Sequence, residues 1–209
     1  TMPVGKLLFT MSLPTTFSML IMALYNIVDS IFVSRYSENA LTAVSLAFPL
    51  QSLMVAFMVG TSVGICSVIS RRLGEKREDE AKKAASTGFV IIIVFSLMFL
   101  LIGIFFSKTF IGLFTDDSEL LQLGTTYLSI VLGVSIGAFI QTFTEKTLQG
   151  TGDTLHPMII QATGAIINII LDPIFIFGYC GLPSMGIAGA AIATVLGQII
   201  GMFIGLFYL

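Results

Sequence analysis

Two aspartates, Asp29 and Asp172, stand inside long apolar runs, where an ionised carboxylate costs at least a few kcal/mol unless it faces a cavity or a partner. No Lys or Arg lies near either one in its run, so a proton or a bound cation is the counter-charge their chemistry calls for. Residues four apart share a helix face, which places Tyr25 one turn before Asp29 and Asn168 one turn before Asp172. Pro173 follows Asp172 directly; it offers no backbone N–H and its ring clashes with the carbonyl of Ile169. A carbonyl freed in this way is tolerated at membrane depth where it lines a cavity. With the hydroxyl of Thr194, these groups predict a hard-oxygen site, suited to sodium at Asp29, Asn168 and Asp172 or, when protonated, to proton exchange. The alternative for each aspartate is a polar pin held by hydroxyls and amides of neighbouring helices.

The other polar candidates point to less. Glu145 and Lys146 near the end of the fourth apolar run read as interfacial charges that snorkel. His156, the single histidine, precedes Pro157 in a loop and is expected to be neither ligand nor base; Cys66 and Cys180 form neither a disulfide framework nor a metal-ligand spacing. No G-x-x-x-x-G-K-[ST] loop is present, which disfavours ATP-driven chemistry. The string Gly150-Thr151-Gly152-Asp153 spells the G-x-G-D pattern of intramembrane aspartyl proteases, but no Tyr-Asp dipeptide accompanies it and Asp153 falls in a polar turn. We read it as a turn whose glycines supply positive φ. The chain carries no catalytic constellation and is not expected to be an enzyme.

The elements that must position the two aspartates are membrane spans. The 209 residues are 56% hydrophobic and only 11% charged, with a mean hydropathy of +0.99, where soluble domains carry about a quarter charged residues. With 10 Lys+Arg against 12 Asp+Glu there is no basic field for nucleic acid. A bilayer core needs about 20 apolar residues per helix, and six such runs occur near 7–33, 43–70, 86–106, 121–148, 157–177 and 187–208. The fold expected is therefore an all-α membrane protein of six spans in one unit over 1–209. The first run is long and carries Pro14, Tyr25 and Asp29, unlike a cleaved signal sequence, and is expected to remain as a span.

Cytoplasmic loops retain Lys and Arg. Lys6, Arg71, Arg72, Lys76, Arg77, Lys82, Lys83 and Lys146 fall on one side and only Arg35 and Lys108 on the other, which puts both termini in the cytoplasm and the acidic loop of Asp116, Asp117 and Glu119 outside. An internal similarity relates the first and fifth spans: Pro14 precedes Asp29 by fifteen residues and Pro157 precedes Asp172 by fifteen. Repeats of this kind hold substrate and ion sites at their interface in transporters. Small residues at four-residue spacing, Gly60 and Gly64, Gly133 and Gly137, and Gly197, Gly201 and Gly205, predict close helix contacts.

Four stretches together carry a resemblance: Tyr25-Asn26-Ile-Val-Asp29-Ser-Ile-Phe-Val33; Leu148-Gln149-Gly150-Thr151-Gly152-Asp153-Thr154 with Pro157-Met158; Asn168-Ile-Ile-Leu-Asp172-Pro173; and Gly189-Ala190-Ala191-Ile-Ala-Thr194. The chain resembles the amino-terminal half of the multidrug and toxic compound extrusion (MATE) transporters, nearest the bacterial branch of DNA-damage-inducible efflux proteins. The resemblance implies one six-helix lobe of a twelve-helix fold in a bacterial inner membrane, with a second six-helix lobe as partner. It implies antiport of drugs or organic cations against protons or sodium, with no cofactor beyond that ion. It also implies a cation site at Asp29, Asn168 and Asp172, supported by Tyr25 and Thr194; the substrate-binding residues stay unassigned. A lipid-linked saccharide flippase of the same superfamily is the nearest alternative, although only Lys146 offers a cation at the edge of a span. A non-transporting helical scaffold is a further alternative, in which both aspartates are merely pins.

Overall fold

The computed structural model describes residues 4–209, and within them the chain forms seven α-helices and one short 3-10 turn, with no strand. Residues 1–3 and the side chains of Val4, Lys6 and Leu7 lie outside the described residues. The helices are α1 (Val4–Tyr36), α2 (Glu38–Gly74), α3 (Glu78–Ile111), α4 (Ser118–Gly133), α5 (Ile136–Gly150), α6 (Leu155–Phe177) and α7 (Ile187–Tyr208), with the 3-10 turn at Tyr179–Gly181. Most run past the apolar segments at their ends. The polar stretch 71–83 is mainly helical, because α2 continues to Gly74 and α3 begins at Glu78, leaving three connecting residues. Ion pairs from Arg71 and Arg72 to Glu75 (3.1 and 2.9 Å) and from Arg72 to Glu80 (3.2 Å) hold the two helix ends together.

Local chemistry sets the boundaries. The Ser37 hydroxyl accepts from the Asn39 N–H at the start of α2 (3.2 Å), and the Asp117 carboxylate accepts from the N–H groups of Glu119 (2.8 Å) and Leu120 (3.2 Å) at the start of α4. Each satisfies amides that a helix start leaves without partners. Gly178 ends α6 in the left-handed region, φ 78°, a conformation that suits glycine.

The fourth apolar run does not form one straight helix. It breaks at Val134 and Ser135 into α4 and α5, bent by 48°. At the break α3 comes very near: a side-chain carbon at Gly103 would stand 2.8 Å from the Gly133 nitrogen. The Ser135 hydroxyl donates to the Ser96 carbonyl of α3 at 3.4 Å. Glycine and serine together, here Gly133 and Ser135, are a recognised place for such a kink. Among the described residues five helices are individually long and apolar enough to cross a bilayer, and the bent pair, taken as one broken span, gives a sixth.

In lipid, helices associate through packing and hydrogen bonds rather than hydrophobic expulsion. Phe99 of α3 is fully buried and meets Phe57 of α2 (5.7 Å between ring centres) and Phe139 of α5 (5.8 Å); Phe89 meets Phe143 at 5.8 Å. At the other side α6 and α7 cross at glycines: a side-chain carbon at Gly197 would lie 2.8 Å from the Gly164 carbonyl oxygen. The pair Gly60 and Gly64 behaves differently from the sequence expectation. Neither has a neighbour within 4 Å of the place a side chain would occupy, and both border an open groove of about 430 Å³ between α2 and α3. Helix α1 packs mainly on α6 and leaves large apolar side chains such as Phe9, Phe17, Leu20 and Ile27 exposed.

Candidate functional site

The packing of α1 on α6, and of α6 on α7, brings the predicted residues together. Asp172 of α6 is fully buried, Asn168 is 2% exposed and Thr194 of α7 is 5% exposed. Asp29 and Tyr25 sit half-buried on the face of α1 that meets α6. The Asp29 and Asp172 carboxyl groups are within hydrogen-bonding reach of each other. Asn26, between Tyr25 and Asp29 in sequence, points away and donates to the Met22 carbonyl of its own helix (2.9 Å).

Asn168 is the clamp of the cluster. With its amide turned as its surroundings require, the nitrogen donates to Asp172 Oδ2 at 2.9 Å, while the oxygen accepts from the Thr194 hydroxyl at 3.2 Å and the Thr194 N–H at 3.0 Å. In this arrangement Thr194 engages the Asn168 oxygen, and the amide nitrogen orients Asp172. The Thr194 hydroxyl is also hydrogen-bonded with that of Tyr25, so α1, α6 and α7 are tied at one depth. α6 runs through Pro173, which supplies no N–H to the Ile169 carbonyl.

Each aspartate keeps one buried oxygen, Oδ1, without a donor. Among the described residues no cationic side chain acts on either carboxyl, and nowhere do three His, Cys, Asp or Glu side chains gather in a metal-binding group. A buried polar atom without a partner costs free energy, and two facing carboxylates repel by about 4 kcal/mol at 4 Å and an effective dielectric of 20. One proton between the carboxyls, or one small monovalent cation, relieves both penalties.

Two residues of the cluster escape sequence reasoning. Tyr127 of α4 is 4% exposed, lies near Asp29, Asp172 and Tyr25, and has its hydroxyl hydrogen-bonded with Gln51 of α2. A tyrosine in an apolar run is ordinary; the only available signal was a phenol and an amide standing in spans otherwise short of polar groups.

The remaining candidates lie elsewhere. Asp153 accepts from the N–H groups of Leu155 (3.0 Å) and His156 (3.1 Å) and pairs with the His156 ring, which lies tilted against Tyr208. Burial works to raise this carboxyl, but the hydrogen bonds from His156 prevail and hold it below the ordinary carboxylate range. It caps α6, and Gly152 beside it takes φ 94° as the turn requires; Gly150 ends α5 instead. Glu145 corrects the expectation of a snorkelling side chain: it is 9% exposed and accepts from the Gln141 amide at 2.9 Å. Lys146 is half-buried and donates to Gln149 at 3.0 Å.

The MatE family model matches residues 14–174. A curated relative described as a FAD transporter, from Shewanella oneidensis, is 27% identical over 96% of this chain, and a probable multidrug resistance protein NorM from Thermotoga maritima is 28% identical over 95%. These alignments take in 44% and 43% of the relatives, so the chain spans less than half their length. A solved structure of the MATE multidrug transporter DinF-BH is 33% identical, with a TM-score of 0.92 over 98% of this chain and 45% of that one.

Proposed function

The chain belongs to the MatE family, and from the meeting of Asp29 and Asp172 we propose that it supplies one six-helix lobe of a secondary active antiporter. In this reading the transporter exports drugs or organic cations from a bacterial inner membrane, with both ends of the lobe in the cytoplasm. A second six-helix lobe completes the path, in keeping with the share of its relatives that the chain spans. The observation that carries the reading is the pair of buried carboxyls, on two different helices, with unpartnered oxygens and no neutralising cation among the described residues.

Antiport needs a site whose occupants exclude one another, and this pair provides one. With one proton the carboxyls share a hydrogen bond and α1 is drawn onto α6. Without it, repulsion favours separation of the helices, and the residual charge attracts a cationic substrate from the cleft between lobes. Rocking of the lobes then exposes the cleft to either side. The engaged Asn168 oxygen supports the proton as the coupling ion over sodium.

The test is efflux of a fluorescent organic cation from proteoliposomes holding the complete transporter that carries this lobe, under separate proton and sodium gradients. The proton gradient is expected to drive export, and Asp29→Asn and Asp172→Asn are each expected to abolish it while folding persists. Normal export by both variants would make the aspartates structural pins. FAD, the cargo given for the Shewanella relative, is the alternative substrate in the same assay.

A further inference from the structure

Glu145 is a third buried carboxyl of the lobe, and the coupling pair does not use it. It stands on α5, in the bent span, with its side chain turned inward. Gly201 of α7 makes room for its partner: a side-chain carbon there would collide with the Gln141 amide at 2.6 Å, and that amide donates to Glu145 one turn away. The Gln141 nitrogen also lies 3.8 Å from where a Gly164 side chain would begin, so the Gln141–Glu145 pair sits at the junction of α5, α6 and α7.

The junction connects with the coupling pair through one seam. Along α7, Thr194, Gln198 and Gly201 follow on successive turns. Thr194 holds Asn168, Gln198 keeps a buried side-chain oxygen without a donor, and Gly201 receives Gln141. These positions step along α7 from the level of Asp172 toward the end where α5 and α2 are joined by the Ser70 hydroxyl donating to the Gly150 carbonyl at 2.8 Å. That end carries Arg71, Arg72, Lys76 and Arg77, the cytoplasmic side by the positive-inside rule. Of the groups around Glu145, Lys146 on the same helix is the one whose charge acts on it; α2, α3, α6 and α7, all packed on α5, present none among the described residues.

We propose that Glu145 is a proton-binding site on the cytoplasmic side of the coupling pair, reached through the α5–α7 seam. The inference rests on the coupling reading for the direction of proton flow, but not for the existence of the site. The proton released by Asp29 and Asp172 is taken up at a Glu145 carboxylate oxygen and then passed to cytoplasmic water; no other bond forms or breaks.

Two measurements on the complete transporter decide it. In infrared titration, a protonated-carboxyl band that appears and disappears with pH is expected to vanish in Glu145→Gln and to persist in Asp29→Asn and Asp172→Asn. In proteoliposomes, Glu145→Gln is expected to bind the fluorescent cation with unchanged affinity, to export it at least tenfold more slowly and to lose the response of rate to cytoplasmic pH, with Glu145→Asp restoring part of both. If no such band belongs to Glu145, or if Glu145→Gln keeps the wild-type rate and pH profile, the proposal is wrong whatever Asp172 does. If the Glu145 results hold while Asp29→Asn and Asp172→Asn export normally, the second site stands and the coupling pair falls.

Discussion

The two aspartates are informative because lipid makes charge expensive, so a carboxyl retained within a span has a reason to be there. The same expense made Tyr25, Asn168 and Thr194 legible beside them, and the structure brings all five to one place. It did not make Tyr127 legible, since a tyrosine in an apolar run is unremarkable, nor the burial of Glu145, whose neighbour Lys146 suggested an interface. Asn168→Ala removes the N–H that faces Asp172 and the acceptor of Thr194, and strands buried polar groups at a cost of about 1–3 kcal/mol. Export driven by a proton gradient is expected to fall by about tenfold or more, while Asn26→Ala, whose amide bonds only its own helix, is expected to keep the normal rate in the same assay. Asp153 supplies a test of a different kind. Its carboxyl is held below the ordinary range by His156, so its stabilising contribution is present above the unfolded carboxylate value and is lost as pH falls through the lower folded one. Asp153→Ala is expected to cost about 1 kcal/mol as a lost cap, seen as a lower melting midpoint, with the difference from wild type shrinking in acid.

At the scale of elements, the apolar runs located the spans, but hydropathy carries no information about a bend inside a run. The kink between α4 and α5 falls at Gly133 and Ser135, where α3 approaches at Gly103 and Ser135 bonds Ser96, contacts between residues far apart in sequence. Glycine spacing was similarly ambiguous: one pattern describes the tight α6–α7 crossing at Gly164 and Gly197 and the open groove at Gly60 and Gly64. Substitution separates them. Gly197→Val drives a side chain into the Gly164 carbonyl and is expected to destabilise by about 1–3 kcal/mol, with export reduced because Thr194 and Asn168 lie one turn away. Gly60→Ala meets open space and is expected to leave the melting midpoint unchanged or slightly raised, since alanine is the better helix former. Equal losses from both would contradict this account of the packing.

The whole molecule is a bundle with its two buried aspartates where α1, α6 and α7 meet, further buried polar side chains on α2, α3 and α5, and an outer surface rich in large apolar groups. That surface suits lipid on some faces and a second lobe on others. The charge asymmetry of the loops predicts that a reporter fused after Leu209 is active in the cytoplasm, and an exported reporter would reverse the orientation. The central claim, that proton and substrate compete for Asp29 and Asp172, is tested most directly by adding a fluorescent organic cation to the purified complete transporter in weakly buffered detergent solution and counting the protons set free. The account predicts release on binding by the wild-type protein and none from Asp29→Asn or Asp172→Asn, with the cation still bound. Undiminished release from both variants would contradict it.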